Sequence, residues 1–127
     1  MTPARMDRLE AAIRVVLEFN QAFNRHDLEA MLQRMSEECV FETRQPKPDG
    51  SPQIGRRAVA QYWQGFFRSY PQVHCEIEEI FSLGLHCILR WRTEWVDDAG
   101  VQQHVRGVDL FKVTDGLISE ELSYAKG

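Results

Sequence analysis

Residues 86–125 contain the stretch that decides the fold: HCILRWRTEWV (86–96), DDAG (97–100), VQQHVRGVDLFKV (101–113), TDG (114–116) and LISEELSYA (117–125). Three β-prone runs are separated by two short clusters of turn-forming residues. This pattern predicts three antiparallel strands joined by tight hairpins. The run before them, 73–83, is also β-prone, and its alternation slips around Glu78 and Glu79, which predicts a fourth strand with a bulge.

The residues before this meander predict three helices. Apolar side chains recur at steps of three and four over residues 7–24, as on one face of an amphipathic helix. Asp27 is a suitable N-cap for a second, short helix that ends near Ser36, because its carboxylate can accept from free amides of the first turn. A third helix with a strongly aromatic face is predicted over 56–69, and Pro71 closes it.

Two shorter segments lie between these helices. CVFETR (39–44) is β-prone and predicts a short strand. QPKPDGSPQIG (45–55) holds three prolines and two glycines, which predicts a long loop. Helices at one end of the chain and strands at the other indicate the α+β class. We therefore expect a single domain over residues 1–127, a cone-shaped barrel in which a curved, mostly antiparallel sheet wraps around three N-terminal helices and leaves a conical pocket.

Composition excludes several classes of function. The 127 residues carry 15 Lys and Arg against 19 Asp and Glu, a net charge of −4, which is unlike a basic nucleic-acid-binding protein. No apolar run approaches the ~20 residues of a membrane helix. The N-terminal MTPARMDRLEAA lacks the apolar core of a signal peptide. We therefore expect a cytoplasmic protein with no nucleic-acid or membrane partner.

The cysteines, histidines and glycines predict no metal and no cofactor. Cys39, Cys75 and Cys87 are odd in number, widely spaced and without a CxxC pair, so reduced, mostly buried thiols are expected. Clustered Cys and His at the spacing that zinc would need do not occur in the sequence. The glycines lack the spacing of phosphate-binding or dinucleotide-binding loops.

Four short segments carry a resemblance to a known family. They are FNRHDLEAML (23–32), SEECVF (36–41), GRRAV (55–59) and GVDLFKVTDGLI (107–118). In this order, over nearly the whole chain, they resemble the SnoaL-like branch of the nuclear-transport-factor-2-like superfamily. The resemblance implies the cone-shaped fold. It does not imply one activity, because the superfamily includes ketosteroid isomerase, limonene-epoxide hydrolase, polyketide cyclases, scytalone dehydratase and many non-catalytic members.

Asp109 is the candidate catalytic residue. Alternation groups it with Val105, Gly107 and Phe111 on one face of its strand, and the resemblance implies that this face points inward. Asp109 then matches an aspartate of ketosteroid isomerase that donates to an oxyanion, and it looks like the acid/base aspartate of SnoaL-like cyclases. Burial in an aromatic-lined cavity disfavours the charged form of a carboxyl group, which suits a general acid or base.

Other parts of related active sites are missing. The resemblance places the isomerase's general base at Thr43 and its oxyanion tyrosine at Phe19, and neither side chain can do that work. Steroid isomerisation by that mechanism is therefore not predicted. The Asp–Arg–Asp arrangement of the epoxide hydrolase is not matched either, because its last aspartate falls near Ser123 and alternation points Arg92 and Glu94 outward.

Side chains of the helices and of the sheet are expected to hold the substrate. The predicted substrate-binding residues are Phe19, Phe23, Tyr62, Trp63, Phe66, Trp91, Trp95, Glu121 and Ser123. The two sheet tryptophans belong to the apolar face of strand 86–96, which should meet the helices. Glu121 could form an acid–base pair with Asp109, but a solvated position at the rim of the pocket is the favoured interpretation.

The outer face of the sheet predicts a homodimer. It mixes charged with apolar side chains, namely Arg90, Arg92, Glu94, Arg106, Val108 and Leu110. Such a mixture fits a protein interface better than bare solvent, and the resemblance implies dimers packed through this sheet. A monomer in light scattering at micromolar concentration would contradict this expectation.

Three functional hypotheses follow. The first is an enzyme without metal or cofactor, in which Asp109 acts by acid–base chemistry on a small, largely apolar carbonyl compound. Isomerisation, aldol-type cyclisation, dehydration and hydrolysis are all open to it. The second is a non-catalytic protein that binds a small apolar ligand in the same pocket. The third is a dimeric association module with a filled core and no cavity. A single isolated acid keeps the last two open.

Overall fold

Within residues 3–127, which the computed structural model describes with side chains from residue 9 onward, three helices precede most of a six-stranded sheet. The elements are α1 (Pro3–Asn24), α2 (Leu28–Gln33), β1 (Met35–Glu42), β2 (Pro52–Ile54), α3 (Gly55–Ser69), β3 (His74–Leu83), β4 (His86–Val96), β5 (Gln102–Thr114) and β6 (Leu117–Ala125). The predicted α+β class is confirmed.

The strands form one curved sheet in the order β2-β1-β6-β5-β4-β3. β1 runs parallel to β6, and every other neighbouring pair is antiparallel. The meander from β3 to β6 is the one predicted from strand and turn pattern. The predicted bulge in β3 is also confirmed, since its pairing with β4 shifts register between Ile77 and Glu79. A bulge increases local twist, which helps a sheet curl around helices.

Two predicted boundaries in the first half of the chain are wrong. β1 begins at Met35 instead of Cys39 and ends at Glu42, so α2 ends earlier than Ser36. The cause is a distant contact, because Met35 pairs with Ile118 of β6. Local periodicity carries no information about such a partner. The predicted cap of α2 is present, since Asp27 accepts a hydrogen bond from the Ala30 amide at 3.1 Å.

The segment 45–55 is not a loop throughout. Pro52–Ile54 forms β2, which pairs antiparallel with the end of β1. β2 lies at the sheet edge, where a proline is tolerated because no outer strand needs its missing N–H. Hydrogen bonds of Thr43 hold the two ends of the loop between β1 and β2 together. The Thr43 hydroxyl donates to the Gln45 carbonyl at 2.7 Å and accepts from the Ser51 amide at 3.2 Å.

Helices α1 and α3 pack against the concave face of the sheet. The least exposed core side chains are Val16, Met31, Met35, Cys39, Val59, Cys87, Phe111 and Ile118. Asn24 fastens the end of α1 to the edge strand β3. Its side-chain amide donates to the Cys75 carbonyl at 2.9 Å, and its oxygen accepts from the Cys75 amide at 2.7 Å. The helices therefore close one side of the barrel.

The cysteines are free and buried, as predicted. Burial raises the pKa of all three thiols, that of Cys75 to about 12, so none is a reactive thiolate at neutral pH. In the part of the chain that the structure describes, no group of three side chains could hold a metal ion. No described helix combines the length and apolar character needed to cross a bilayer.

Candidate functional site

The register of the sheet places Asp109 on its concave face. Asp109 lies opposite Leu89 of β4 and Ser123 of β6. Leu89 and Asp109 are 3% and 9% exposed, whereas Arg90, the next residue of β4, is exposed. The inward orientation implied by the family resemblance is therefore the one that the structure shows.

Asp109 lines a chamber of about 60 Å³ between the helices and the sheet. Nearly all of the predicted substrate-binding side chains line the same chamber, namely Phe19, Phe23, Tyr62, Trp63, Phe66, Trp91, Glu121 and Ser123. α1 and α3 supply the first five, and the sheet supplies the others. The chamber is small, so the third hypothesis, a dimeric association module, stays open beside the other two.

Trp95 is the exception, and its predicted place in the chamber is wrong. It lies towards the end of β4, where its ring packs edge-on against Tyr70 with 5.6 Å between the ring centroids. Its parity is that of Trp91, so alternation predicted the correct face. The chamber does not extend that far along the strand.

Trp91 connects the sheet to the candidate catalytic residue. Its indole Nε1 donates a hydrogen bond to Asp109 Oδ1 at 2.9 Å, and the ring is 4% exposed. A hydrogen bond to a buried carboxylate is charge-assisted and stabilises the charged form. The indole fits because Gly107, its partner on β5, has no side chain. A Cβ there would lie 2.5 Å from Trp91 Cζ2.

Glu121 is not a solvated rim residue, and this prediction is wrong. It is 2% exposed and lies opposite Phe111, on the same face as Asp109. Burial raises the pKa of Glu121 well above its usual range, and the charge of Asp109 and a hydrogen bond with Asp109 raise it further. Glu121 Oε1 has no hydrogen-bond partner among the described residues.

The two carboxyl groups interact and differ in their surroundings. Trp91 donates a hydrogen bond to Asp109, whereas burial and the neighbouring Asp109 raise the pKa of Glu121 and favour its neutral form. Two interacting carboxyl groups lose their protons in steps that belong to the pair. Such a pair offers a base and a neutral acid at the same place.

The proton on Glu121 leads to a prediction about stability. Folding raises the pKa of Glu121 above the 4.5 of an ordinary glutamate, so the folded protein holds this proton more tightly than the unfolded chain. The resulting stability is complete below pH ~4.5 and is lost as the pH rises towards the folded-state pKa. Glu121→Gln cannot ionise. Its melting temperature relative to wild type should therefore rise as the pH increases above about 5 towards the folded-state pKa of Glu121.

A matched control for this measurement is Glu120→Gln. Glu120 is the preceding residue of β6, on the opposite face of the strand, and is only half-buried. Its substitution should change the melting temperature by the same amount at every pH. An offset for Glu121→Gln that does not change with pH would contradict the assignment of a neutral Glu121.

Two further polar groups of the chamber have no hydrogen-bond partner among the described residues, and of these Trp63 Nε1 is the buried one. Trp63 is 7% exposed, and its indole Nε1 has no acceptor among the described residues. Arg44 places its guanidinium carbon 5.2 Å from the centroid of the Trp91 ring. Buried donors in folded proteins are nearly always satisfied, so a free one in a cavity indicates a ligand or water there.

Sequence reasoning missed Arg44. Alternation in the predicted strand 39–44 places Arg44 on the face opposite to buried Phe41, but β1 ends at Glu42, so that alternation does not extend to Arg44. Asn20 and Thr93 also line the chamber. Thr93 shares the inward face of β4 and could have been found by parity, whereas Asn20 lies on α1 between the apolar residues of its helical stripe.

The missing isomerase groups stay missing in the structure. The hydroxyl of Thr43 is used within its loop and does not line the chamber. Phe19 packs edge-on against Phe111, with 5.9 Å between the ring centroids. Neither residue brings an acid or a base to the chamber. Arg92 pairs with Glu94 at 2.7 Å and lies outside the chamber, as predicted from alternation.

The chamber adjoins a second, larger cavity. This outer cleft has a volume of about 780 Å³ and lies between the loop after β1 and the C-terminal end of the chain. Arg44 and Ser123 line both cavities, and we call the boundary at these two residues the neck. The outer cleft is more polar than the chamber, since it includes the side chains of Glu42, Lys47, Asp49 and Lys126.

The sequence profile of the SnoaL-like domain matches residues 16–121, which include all the strands from β1 to β5 and both acids. The chain belongs to the SnoaL-like family. The resemblance predicted from the sequence is thereby confirmed. No curated protein is significantly similar to this SnoaL-like chain in sequence.

Solved structures show the nuclear-transport-factor-2-like fold of this SnoaL-like chain. A protein of unknown function with that fold from Mesorhizobium loti is 38% identical, with 94% of each chain covered and a TM-score of 0.81. A candidate polyketide cyclase from Xanthomonas campestris pv. campestris is 24% identical, with 94% of this chain and 93% of the other covered and a TM-score of 0.78. A Mycobacterium tuberculosis protein in complex with estradiol-17β-hemisuccinate is 24% identical, with 90% and 92% covered and a TM-score of 0.77.

Proposed function

We propose that this SnoaL-like protein is a cofactor-independent enzyme that moves a proton on a small carbonyl compound. Asp109 is the base, and Glu121 is its neutral partner. The observation that carries the proposal is the buried carboxyl pair, in which an indole N–H donates to one member and burial raises the pKa of the other. Buried acids with opposed protonation states are typical of sites that perform acid–base chemistry.

In this proposal the first step is removal of a proton from the carbon next to the carbonyl group. The C–H bond breaks, the proton passes to Asp109, and the electron pair forms an enolate whose charge lies on the former carbonyl oxygen. The N–H of Trp63, which is buried and has no acceptor among the described residues, would donate to that oxygen. The carboxyl pair then holds two protons and returns one of them to the substrate.

The same first step serves several overall reactions. Return of the proton to a different carbon is an isomerisation, and attack of the enolate on a second carbonyl group is an aldol-type cyclisation. Loss of a β-hydroxyl group from the enolate is a dehydration. Solved structures with the same fold include a candidate polyketide cyclase and a protein in complex with a steroid ester. These relatives support a carbonyl-bearing ligand without choosing among the reactions.

The proposal is tested by hydrogen–deuterium exchange at carbon. Ketones of graded size, from propanone to 4-oxopentanoate, are incubated with the wild-type protein in D2O, and the signals of the hydrogens next to the carbonyl group are followed by proton NMR. Wild type is expected to exchange at least one probe faster than buffer. Glu120→Gln should match wild type, and Glu121→Gln should be slower because glutamine cannot carry the shared proton. Wild type that leaves every probe unexchanged would contradict the proposal.

Ligand binding without catalysis is the second candidate function. The unpartnered Trp63 Nε1 and Glu121 Oε1 favour it, because a bound ligand would satisfy both atoms with no reaction. It predicts that a probe binds in the chamber and that its hydrogens are not exchanged.

We also propose that two copies associate through the outer sheet face. Val108 and Leu110 are half-buried there, and Arg106 pairs with Glu78 at 2.9 Å within the same chain. These charges already pair within one chain. The apolar side chains of this face would therefore contribute most to a contact between two copies.

A further inference from the structure

The chamber by itself is too small for the whole of most substrates. At about 60 Å³ it takes only a few non-hydrogen atoms, because a cavity of about 150 Å³ is needed to hold one benzene. A larger molecule that reaches Asp109 extends out of the chamber, and the outer cleft beyond the neck offers it room. The part of the ligand at the neck meets a cation.

Arg44 is free to bind that part of the ligand. Among the described residues its guanidinium makes no hydrogen bond and no ion pair, and its charged end rests on the Trp91 ring. The charge of Arg44 affects the pKa of a residue that lines the chamber. Burial raises the pKa of Tyr62, and the Arg44 charge partly offsets that rise. The five donors of a guanidinium match a carboxylate in a two-point contact.

The two unpartnered groups of nitrogen donors require the same kind of atom from the ligand. Trp63 Nε1 and the Arg44 guanidinium can only donate, so the ligand must offer oxygen acceptors at two places. One place lies inside the chamber, and the other lies at its neck. A carbonyl oxygen suits the first and an anionic oxygen suits the second. The polar lining of the outer cleft suits a more polar ligand than the largely apolar carbonyl compound that the sequence predicted.

We propose that the substrate is an oxo acid, with its carbonyl end in the chamber and its carboxylate on Arg44. This inference rests on the proposed function for the role of the carbonyl end. Arg44 determines specificity. It leaves the face of Trp91 when the substrate binds and fixes how deep the carbonyl carbon enters.

The test uses the three tryptophans as reporters. Indole N–H signals of Trp63 and Trp91 report on the chamber, and that of Trp95, which lies outside it, is an internal control. Two probes of matched shape are titrated at millimolar concentration, 4-oxopentanoate and the neutral 4-oxopentanamide. The acid is expected to shift the two chamber signals and to bind roughly tenfold more tightly than the amide, the factor that ~1.4 kcal/mol gives.

Variants separate the possible roles of Arg44. Arg44→Gln should abolish the preference for the acid, and Arg44→Lys should keep part of it. Arg57→Gln, at an exposed position of α3 away from both cavities, should keep the full preference. Equal binding of acid and amide to wild type, an unchanged preference in Arg44→Gln, or no shift of either chamber signal would each overturn the proposal.

Asp109→Asn separates this inference from the proposed function. The variant keeps Arg44 and the neck, so its preference for 4-oxopentanoate over the amide should persist. If that preference persists while wild type exchanges no hydrogens, the oxo-acid site stands and the proposed proton transfer falls. If exchange occurs with no preference for the acid, the proposed proton transfer stands and the oxo-acid site falls.

Discussion

Asp109→Asn is expected to lower the rate of hydrogen exchange next to a carbonyl group by about 10²–10⁴-fold, the contribution of a well-placed general base. The asparagine has nearly the shape of aspartate, and its side-chain oxygen can still accept from Trp91 Nε1, which lies 2.9 Å from the carboxylate in wild type. The amide cannot take up a proton. The loss therefore measures the base itself and not the packing around it.

Two controls make this result specific. Asp98→Asn changes an exposed aspartate of the turn between β4 and β5, and should exchange like wild type. The melting temperature of Asp109→Asn should not fall, because the asparagine keeps nearly the same shape and a hydrogen-bond acceptor for Trp91. A folded Asp109→Asn protein with wild-type exchange would show that another group is the base.

Gly107→Ala is expected to destabilise the protein by about 2–3 kcal/mol and to lower its melting temperature by roughly 10 °C. The added Cβ would lie 2.3 Å from the Tyr124 carbonyl oxygen and 2.5 Å from Trp91 Cζ2. The carbonyl belongs to the sheet backbone and cannot give way cheaply, so the indole must move. Because that indole donates to Asp109, exchange activity should fall together with stability.

The chain contains a matched control for this substitution. Gly65 lies inside α3, and a Cβ there would meet nothing within 4 Å. Gly65→Ala should therefore raise stability by about 0.5–1 kcal/mol, the usual advantage of alanine over glycine within a helix. Thermal melts and the indole N–H signal of Trp91 would show both effects. A Gly107→Ala protein as stable as wild type, with Trp91 unmoved, would contradict the close packing of this pair.

Local pattern was enough to predict the meander and its inner face. The turn clusters at 97–100 and 114–116 join strands that are neighbours in the chain, so their pairing needs no distant information. Alternation in β4 separated buried Leu89 from exposed Arg90. The family resemblance then chose the inward face of β5, and with it Asp109.

Contacts between distant segments decided the remainder. β1 begins at Met35 because β6 pairs with it from the other end of the chain, and β2 forms because β1 offers an edge. Arg44 reaches the chamber only because the chain leaves the ladder just before it. None of these features has a local signal in the sequence.

Glu121 shows most clearly where sequence reasoning ends. Parity groups it with Ser123 and Ala125 on one face of β6, and in the structure exposure increases along that series from 2% at Glu121 to an exposed Ala125. The sequence by itself determined the three helices, the strands of the meander, the inward face of β4 and the resemblance to the family. Only the tertiary structure decided how far along β6 the helices α1 and α3 cover that face. That cover removes water from Glu121, and the loss of water is what makes it the neutral partner of Asp109.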